Sequence, residues 1–226
     1  MNERKTYYSF HDIPFSSDDM YGSPVQHSGI TFSKQEIIHI VIAMAVLTVA
    51  FSFAFVTYPP LSHLDEVVTY LPLSFIAIAT AFFCHEMAHK YAGQKFGYRS
   101  EFRMYPQGLL LALFLGVAVG IVFAAPGAVQ IFGRPRKDEM GKISLSGPSM
   151  NLILGVIFFT LWLFSEGIVS SISFYVAYIN VFLALFNLIP FGPLDGFKIF
   201  QWKKEVWGVL IGVDIVLLLV LWGVFF

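Results

Sequence analysis

His85, Glu86 and His89 stand within five residues of each other inside an otherwise apolar stretch. On a helix, positions four apart share one face about 5–6 Å from each other, so His85 and His89 can both reach one zinc ion. Glu86 projects about 100° away from His85 and can hold the water that such a metal activates. No charged residue occurs between residues 71 and 83, and then a carboxylate and two imidazoles arrive together. Ionisable groups at membrane depth cost roughly 2.5–3.5 kcal/mol each even on lenient insertion scales, so they are seldom idle. The pattern predicts a zinc-dependent peptide hydrolysis site lying within the bilayer.

A catalytic zinc takes three protein ligands and leaves one position open for water. His63 falls in a loop far along the chain from the pentad's end of its span, and His11, His27 and His39 lie in or just after the N-terminal stretch. The best acidic candidate is Asp195, which follows Asn187, Pro190 and Pro193 and precedes Gly196. The prolines end a helix and fix an irregular backbone, and the glycine allows a tight turn. Asp214 lies in the middle of the last apolar span, where a carboxylate is a functional candidate by default, but no motif surrounds it. Cys84 is the single cysteine and reads as a small packed residue; no internal disulfide can form.

The elements that must position these residues are membrane helices. The chain of 226 residues is 57% hydrophobic and 13% charged, about half the charged fraction of a soluble domain. Its mean hydropathy is +0.71. A net charge of −1 and the lack of a basic, aromatic-interleaved patch argue against a nucleic-acid partner. Residues 1–36 read as a polar cytoplasmic leader, and 37–226 as a membrane-embedded domain. Apolar regions cover residues 37–56, 71–93, 104–132, 143–164, 172–189 and 206–226; Gly108, Gly116, Gly120, Pro126 and Gly127 break the third. Trp202 and Trp207, with Lys203 and Lys204 between them, fit an interface at the start of the last span.

Charge decides between five spans and six. If residues 104–132 crossed the membrane, two loops with four cations each would face opposite sides: Lys90, Lys95, Arg99 and Arg103 before, Arg134, Arg136, Lys137 and Lys142 after. If that region enters and returns on one side, all 14 Lys and Arg fall on the cytoplasmic face. The expected fold is therefore an all-α polytopic membrane protein of five or six transmembrane helices with a re-entrant or β-containing membrane-associated segment. The N-terminus and the active site lie toward the cytoplasm, and the C-terminus lies outside.

The two motifs together resemble the site-2 protease family of intramembrane zinc metalloproteases. Its signature pairs a His-Glu-x-x-His helix with a later Asn-x-x-Pro-x-x-Pro-x-Asp-Gly segment, and both are complete here; Gly147, Pro148 and Asn151 look like a third element. The resemblance covers about residues 71–200. It implies that His85, His89 and Asp195 ligate one Zn2+ per chain and that Glu86 serves as general base and acid. It also implies that Asn151 lies by the active site as an amide donor that steadies the tetrahedral intermediate. The implied substrate is a transmembrane protein cut in or near its membrane segment, and the implied surroundings are the lipid bilayer. Residues 126–133 have the place and pattern of a family β element, to which an unwound substrate adds as a strand. The apolar run 108–125 is longer than the family pattern.

Three other readings compete. A prenyl-protein-type membrane zinc peptidase would use a downstream Glu ligand, but Glu101, Glu139, Glu166 and Glu205 stand in no helical ligand motif. A metal transporter would line a path with polar groups, and little besides Asp214 offers one. A non-catalytic membrane scaffold would keep a decayed site, whereas every group of the motifs is present.

Overall fold

The first helix begins with a reciprocal pair of bonds. Ser33 Oγ accepts the Glu36 N–H at 3.2 Å, and the Glu36 carboxylate accepts the Ser33 N–H at 3.4 Å, a capping box that satisfies two terminal donors at once. In a computed structural model, which describes residues 29–56, 59–122 and 126–225, helix α1 then runs over Lys34–Ala54. The expected leader lies mostly outside the described residues, as do His11 and His27; its last residues already belong to α1.

Helix α2 (Leu64–Ile78) passes through a π-helical turn (Ala79–Phe83) into α3 (Cys84–Lys95), making one rod of 32 residues that carries the His-Glu-x-x-His pentad. Strand β1 (Arg99–Met104), helix α4 (Pro106–Val119) and strand β2 (Gly127–Phe132) follow, then α5 (Lys137–Leu163), α6 (Gly167–Leu188), the short α7 (Asp195–Trp202) and α8 (Lys204–Phe225). Among the described residues, five helical stretches are long and apolar enough to span a membrane: Lys34–Ala54, Leu64–Lys95, Lys137–Leu163, Gly167–Leu188 and Lys204–Gly223.

The choice between five spans and six is answered by strand register. β1 and β2 are antiparallel, with Met104 opposite Gly127 and Arg99 opposite Phe132, so the chain leaves the ladder at Met104 and rejoins it beside the same residue at Gly127. Between them α4 has 14 residues, about 21 Å of helix against a hydrocarbon core of about 30 Å. It is a re-entrant helix, seated by Leu109 and Ala112 in the cluster of Ala43, Leu47 and Ala50 on α1. β2 falls where the apolar pattern placed a strand. β1 is an addition: Arg99, Glu101 and Arg103 read as interfacial charges, yet they alternate with Ser100 and Phe102, which are fully buried.

The hairpin base, the start of α1 and the end of α3 are bound together at one end of the molecule. Lys90, counted with the loop cations above, is instead fully buried on α3, 2.9 Å from a fully buried Glu36 oxygen, and also donates to the Ser100 carbonyl at 2.7 Å. The other Glu36 oxygen accepts the Phe102 N–H at 2.9 Å. Opposite Phe102 in the register, Val129 sends its N–H the other way. A residue pair that does not bond across the ladder turns both N–H groups outward, and here each meets a carboxylate.

A buried ion pair is costly to break and cheap to replace as a whole. Lys90→Met, which strands the Glu36 charge, is expected to destabilise the protein by about 3–5 kcal/mol. Glu36→Gln combined with Lys90→Met should recover most of that loss, because Gln still accepts the Phe102 N–H. Unfolding in mixed micelles followed by far-UV circular dichroism checks this; equal losses in the single and double variants would show that the pair does not anchor the hairpin.

Candidate metal centre and active site

The pentad is helical, so His85 and His89 present their rings on one face of α3, with ring centroids 4.6 Å apart and planes at 81°. Asp195, the first residue of α7, reaches the same face after the break at Pro190 and Pro193. Its Oδ2 stands 2.9 Å from His89 Nε2 and 3.4 Å from His85 Nε2, and the two Nε2 atoms are 3.0 Å apart. Among the described residues, this is the one group of three or more potential ligands that converges, and all three are buried.

The outer ring nitrogens say what the inner ones offer. His89 Nδ1–H donates to the Ile143 carbonyl at 2.8 Å, and His85 Nδ1–H to Asn151 Oδ1 at 3.3 Å. Each Nε2 is then left with a lone pair, and both lone pairs and the Asp195 carboxylate point at one spot. Three electron-pair donors so placed repel each other unless a cation lies between them. Ligands about 2.0–2.1 Å from a tetrahedral zinc stand roughly 3.3 Å from each other, which the three separations approach. The donor set therefore fits zinc, and the hydrogen bonds on the far side of each ring are the kind that fix a ligand's tautomer.

Two close approaches make the convergence possible. A Cβ on Gly147 of α5 would collide with His89 Nε2 and come within 2.6 Å of His85 Nε2. A Cβ on Gly196 would collide with the Leu188 carbonyl, so α7 folds back tightly on the end of α6. The third motif element thus works partly by what it lacks.

Glu86 lies beside this group but outside it, and its Oε2 accepts the Val129 N–H at 2.9 Å. It lines a cavity of about 440 Å³ together with His85, His89 and Asp195. The re-entrant segment supplies Tyr105, Val129 and Ile131 to its wall, and α1 supplies Leu47 and Phe51. Asn151 is fully buried and does not line the cavity: besides holding His85, its amide Nδ2 donates to the Ala81 carbonyl at 3.1 Å. Asp214 is buried on α8 with neither oxygen hydrogen-bonded, apart from the cluster. His63, just before α2, pairs with Glu66 in the first turn of that helix at 3.3 Å.

Sequence reasoning missed the Ile143 carbonyl and the Val129 amide, since backbone groups carry no residue-type signal. It also missed Lys198, whose ammonium stands 3.6 Å from Asp195 Oδ1, the oxygen turned away from the histidines. Its spacing, one helical turn after Asp195, was the available signal.

The chain is similar in sequence to known proteins. A family model described as Peptidase family M50 matches residues 164–208, the stretch that includes Asn187 and Asp195. The "Putative zinc metalloprotease MJ0611" of Methanocaldococcus jannaschii is 38% identical over 182 residues, covering 79% of this chain and 90% of the relative. The chain belongs to peptidase family M50. Another M50-like relative, the "Putative zinc metalloprotease YwhC" of Bacillus subtilis, is 32% identical over 58% of this chain and 68% of its own length. The "Zinc metalloprotease MJ0392" of M. jannaschii is 25% identical over 56% of this chain and 33% of its own length. No solved structure matches the chain.

In this M50 peptidase the fit of Gly147 against both imidazoles has a measurable consequence. Gly147→Ala is expected to weaken zinc binding at least about tenfold, because the rings must move off the shared point. Competition with a chelator of known affinity measures this, and wild-type zinc affinity in the variant would mean that the rings have room to spare.

Proposed function

We propose that this integral membrane protein, an M50 zinc metallopeptidase, cuts peptide bonds in or near the membrane segments of other membrane proteins, with His85, His89 and Asp195 as its zinc ligands and Glu86 as its general base and acid. The observation that carries the reading is the convergence of both Nε2 atoms and Asp195 Oδ2 beside an unligated, cavity-lining glutamate. His85, His89 and Asp195 would hold zinc there, which would supply a bound water of pKa about 7 and polarisation of a peptide carbonyl. Glu86 takes a proton from the attacking water as the C–O bond forms. It then gives that proton to the leaving amine as the C–N bond breaks, so one carboxylate serves both halves of the reaction.

Asn151 acts through His85 in this reading. Both ends of its amide are engaged, the oxygen with His85 and the nitrogen with Ala81, which supports a positioning role over the oxyanion contact that the resemblance implies. The prenyl-protein-type alternative finds no support, since the third converging carboxylate is an aspartate at the α7 start and no Glu joins the group. Nor does the scaffold alternative, because ligands, base and cavity are all assembled.

The cavity-facing edge of β2 suits an extended substrate segment. A helix hides its scissile carbonyls in its own hydrogen bonds, and pairing with an edge strand exposes them. The Val129 N–H on that edge is held by Glu86, so a segment that pairs there takes the amide and frees the carboxylate for the water. The basic residues at the end that carries the hairpin base, Lys95, Arg134 and Lys142 among them, support a reading in which that end, the N-terminus and the active site face the cytoplasm.

Glu86→Gln separates ligand from base. The variant should keep its zinc and lose cleavage of a membrane-segment substrate by about 10²- to 10⁴-fold, read in proteoliposomes with metal content measured in parallel. Cleavage at the wild-type rate would remove Glu86 from the mechanism.

A further inference from the structure

Whether His85 and His89 face Asp195 depends on the rotational phase of α3, and that phase is set just before it, at the π-helical turn Ala79–Phe83. A π turn adds a residue to one helical turn, rotating all that follows by roughly 100° relative to a regular helix. It also leaves backbone carbonyls that the helix's own ladder does not satisfy, which in lipid must find partners elsewhere. The sequence Ala79-Thr80-Ala81 has no glycine or proline to impose such a turn. Something outside the helix must hold it.

Polar side chains do so from two neighbouring helices. The Thr80 hydroxyl donates to the carbonyls of Ile76 at 2.9 Å and Ala77 at 3.0 Å. It accepts in turn from Asn180 Nδ2 of α6 at 3.0 Å; that same amide group reaches the Val176 carbonyl at 2.9 Å, which fixes it to its own helix. On the other side, Asn151 of α5 bonds the Ala81 carbonyl and His85 with one amide. Ala77 and Ala81 are fully buried against Ile179, so small residues bring α6 close enough for the Asn180 amide to reach. None of these contacts involves the ligand atoms of the metal centre, and Thr80 and Asn180 do not line the cavity.

We propose that Thr80 and Asn180 are positioning residues of the metal centre: their hydrogen bond locks the π turn, and through it the phase at which His85 and His89 converge with Asp195. The proposal rests on the reading of those three residues as the zinc ligands. Removing the hydroxyl lets the turn relax toward regular α-helix, which swings the imidazoles away from Asp195 without altering any ligand.

The test is chelator competition for zinc on the full-length, detergent-purified protein, with helical content recorded for each variant. Thr80→Val, close in shape but without the hydroxyl, should weaken zinc binding by about 10- to 100-fold, the range seen for outer partners of metal ligands. Thr80→Ser should restore it to within about twofold. Asn180→Leu should weaken it as well, and Thr80→Val combined with Asn180→Leu should be no weaker than the worse single variant. His89→Ala serves as the control for the ligand reading. Loss of zinc in His89→Ala with wild-type affinity in both Thr80→Val and Asn180→Leu overturns the proposal and leaves the ligands in place. Equal weakening by Thr80→Ser and Thr80→Val also overturns it, since packing rather than the hydroxyl would then be at work. Undiminished zinc in His89→Ala overturns the ligand reading itself, and the proposal with it.

Discussion

Two imidazole nitrogens and a carboxylate oxygen, buried within about 3.4 Å of each other, share that space only around a positive charge. Much of the rest of the molecule holds that crowding in place. The three groups come from α3 and α7, 106 residues apart in the chain between His89 and Asp195, so local propensity cannot assemble them. Gly147 and Gly196 remove the side chains that would keep those elements apart. The Ile143 carbonyl and the Asn151 amide fix each ring by its outer nitrogen. Around this centre, the fully buried Glu36 and Lys90 tie the start of α1 and the hairpin to α3.

The bilayer imposes a second condition, that every backbone polar group have a partner inside the protein. Met the usual way, by regular helix, it would leave no room for a hydrolytic site. Here the irregular parts are concentrated where they line the cavity or set its geometry: the π turn before His85, the break before Asp195 and the hairpin whose strand holds Glu86. Helix α4 packs its Leu109 and Ala112 on α1 and returns the chain to the hairpin, whose strand β2 supplies Val129 and Ile131 to the cavity wall.

What the sequence made legible was what depends on spacing along one element. The pentad could be read because four residues make one helical turn, and Asp195 because two prolines mark a break. The re-entrant region could be read because cations on both flanks cannot straddle the membrane. β1 escaped because its alternating Arg99, Glu101 and Arg103 look like interfacial charge, and only the buried Ser100 and Phe102 between them reveal a strand. Lys90 escaped for a related reason: a lysine near a helix end reads as solvated, and its partner Glu36 lies on another helix. The π turn has no residue signature, because its cause is Thr80 bonded to Asn180, 100 positions away. Contacts set by tertiary packing leave no trace in periodicity, and the finer geometry of this site is made of such contacts.

The most direct measurement is zinc X-ray absorption on the detergent-purified protein and on its Asp195→Asn variant. Two imidazoles with oxygen ligands, all about 2.0–2.1 Å from a single zinc per chain, and loss or marked weakening of that site in the variant, are the expected result. A third imidazole, a thiolate shell, or a spectrum unchanged by Asp195→Asn would contradict the ligand set from which the rest of the mechanism is built.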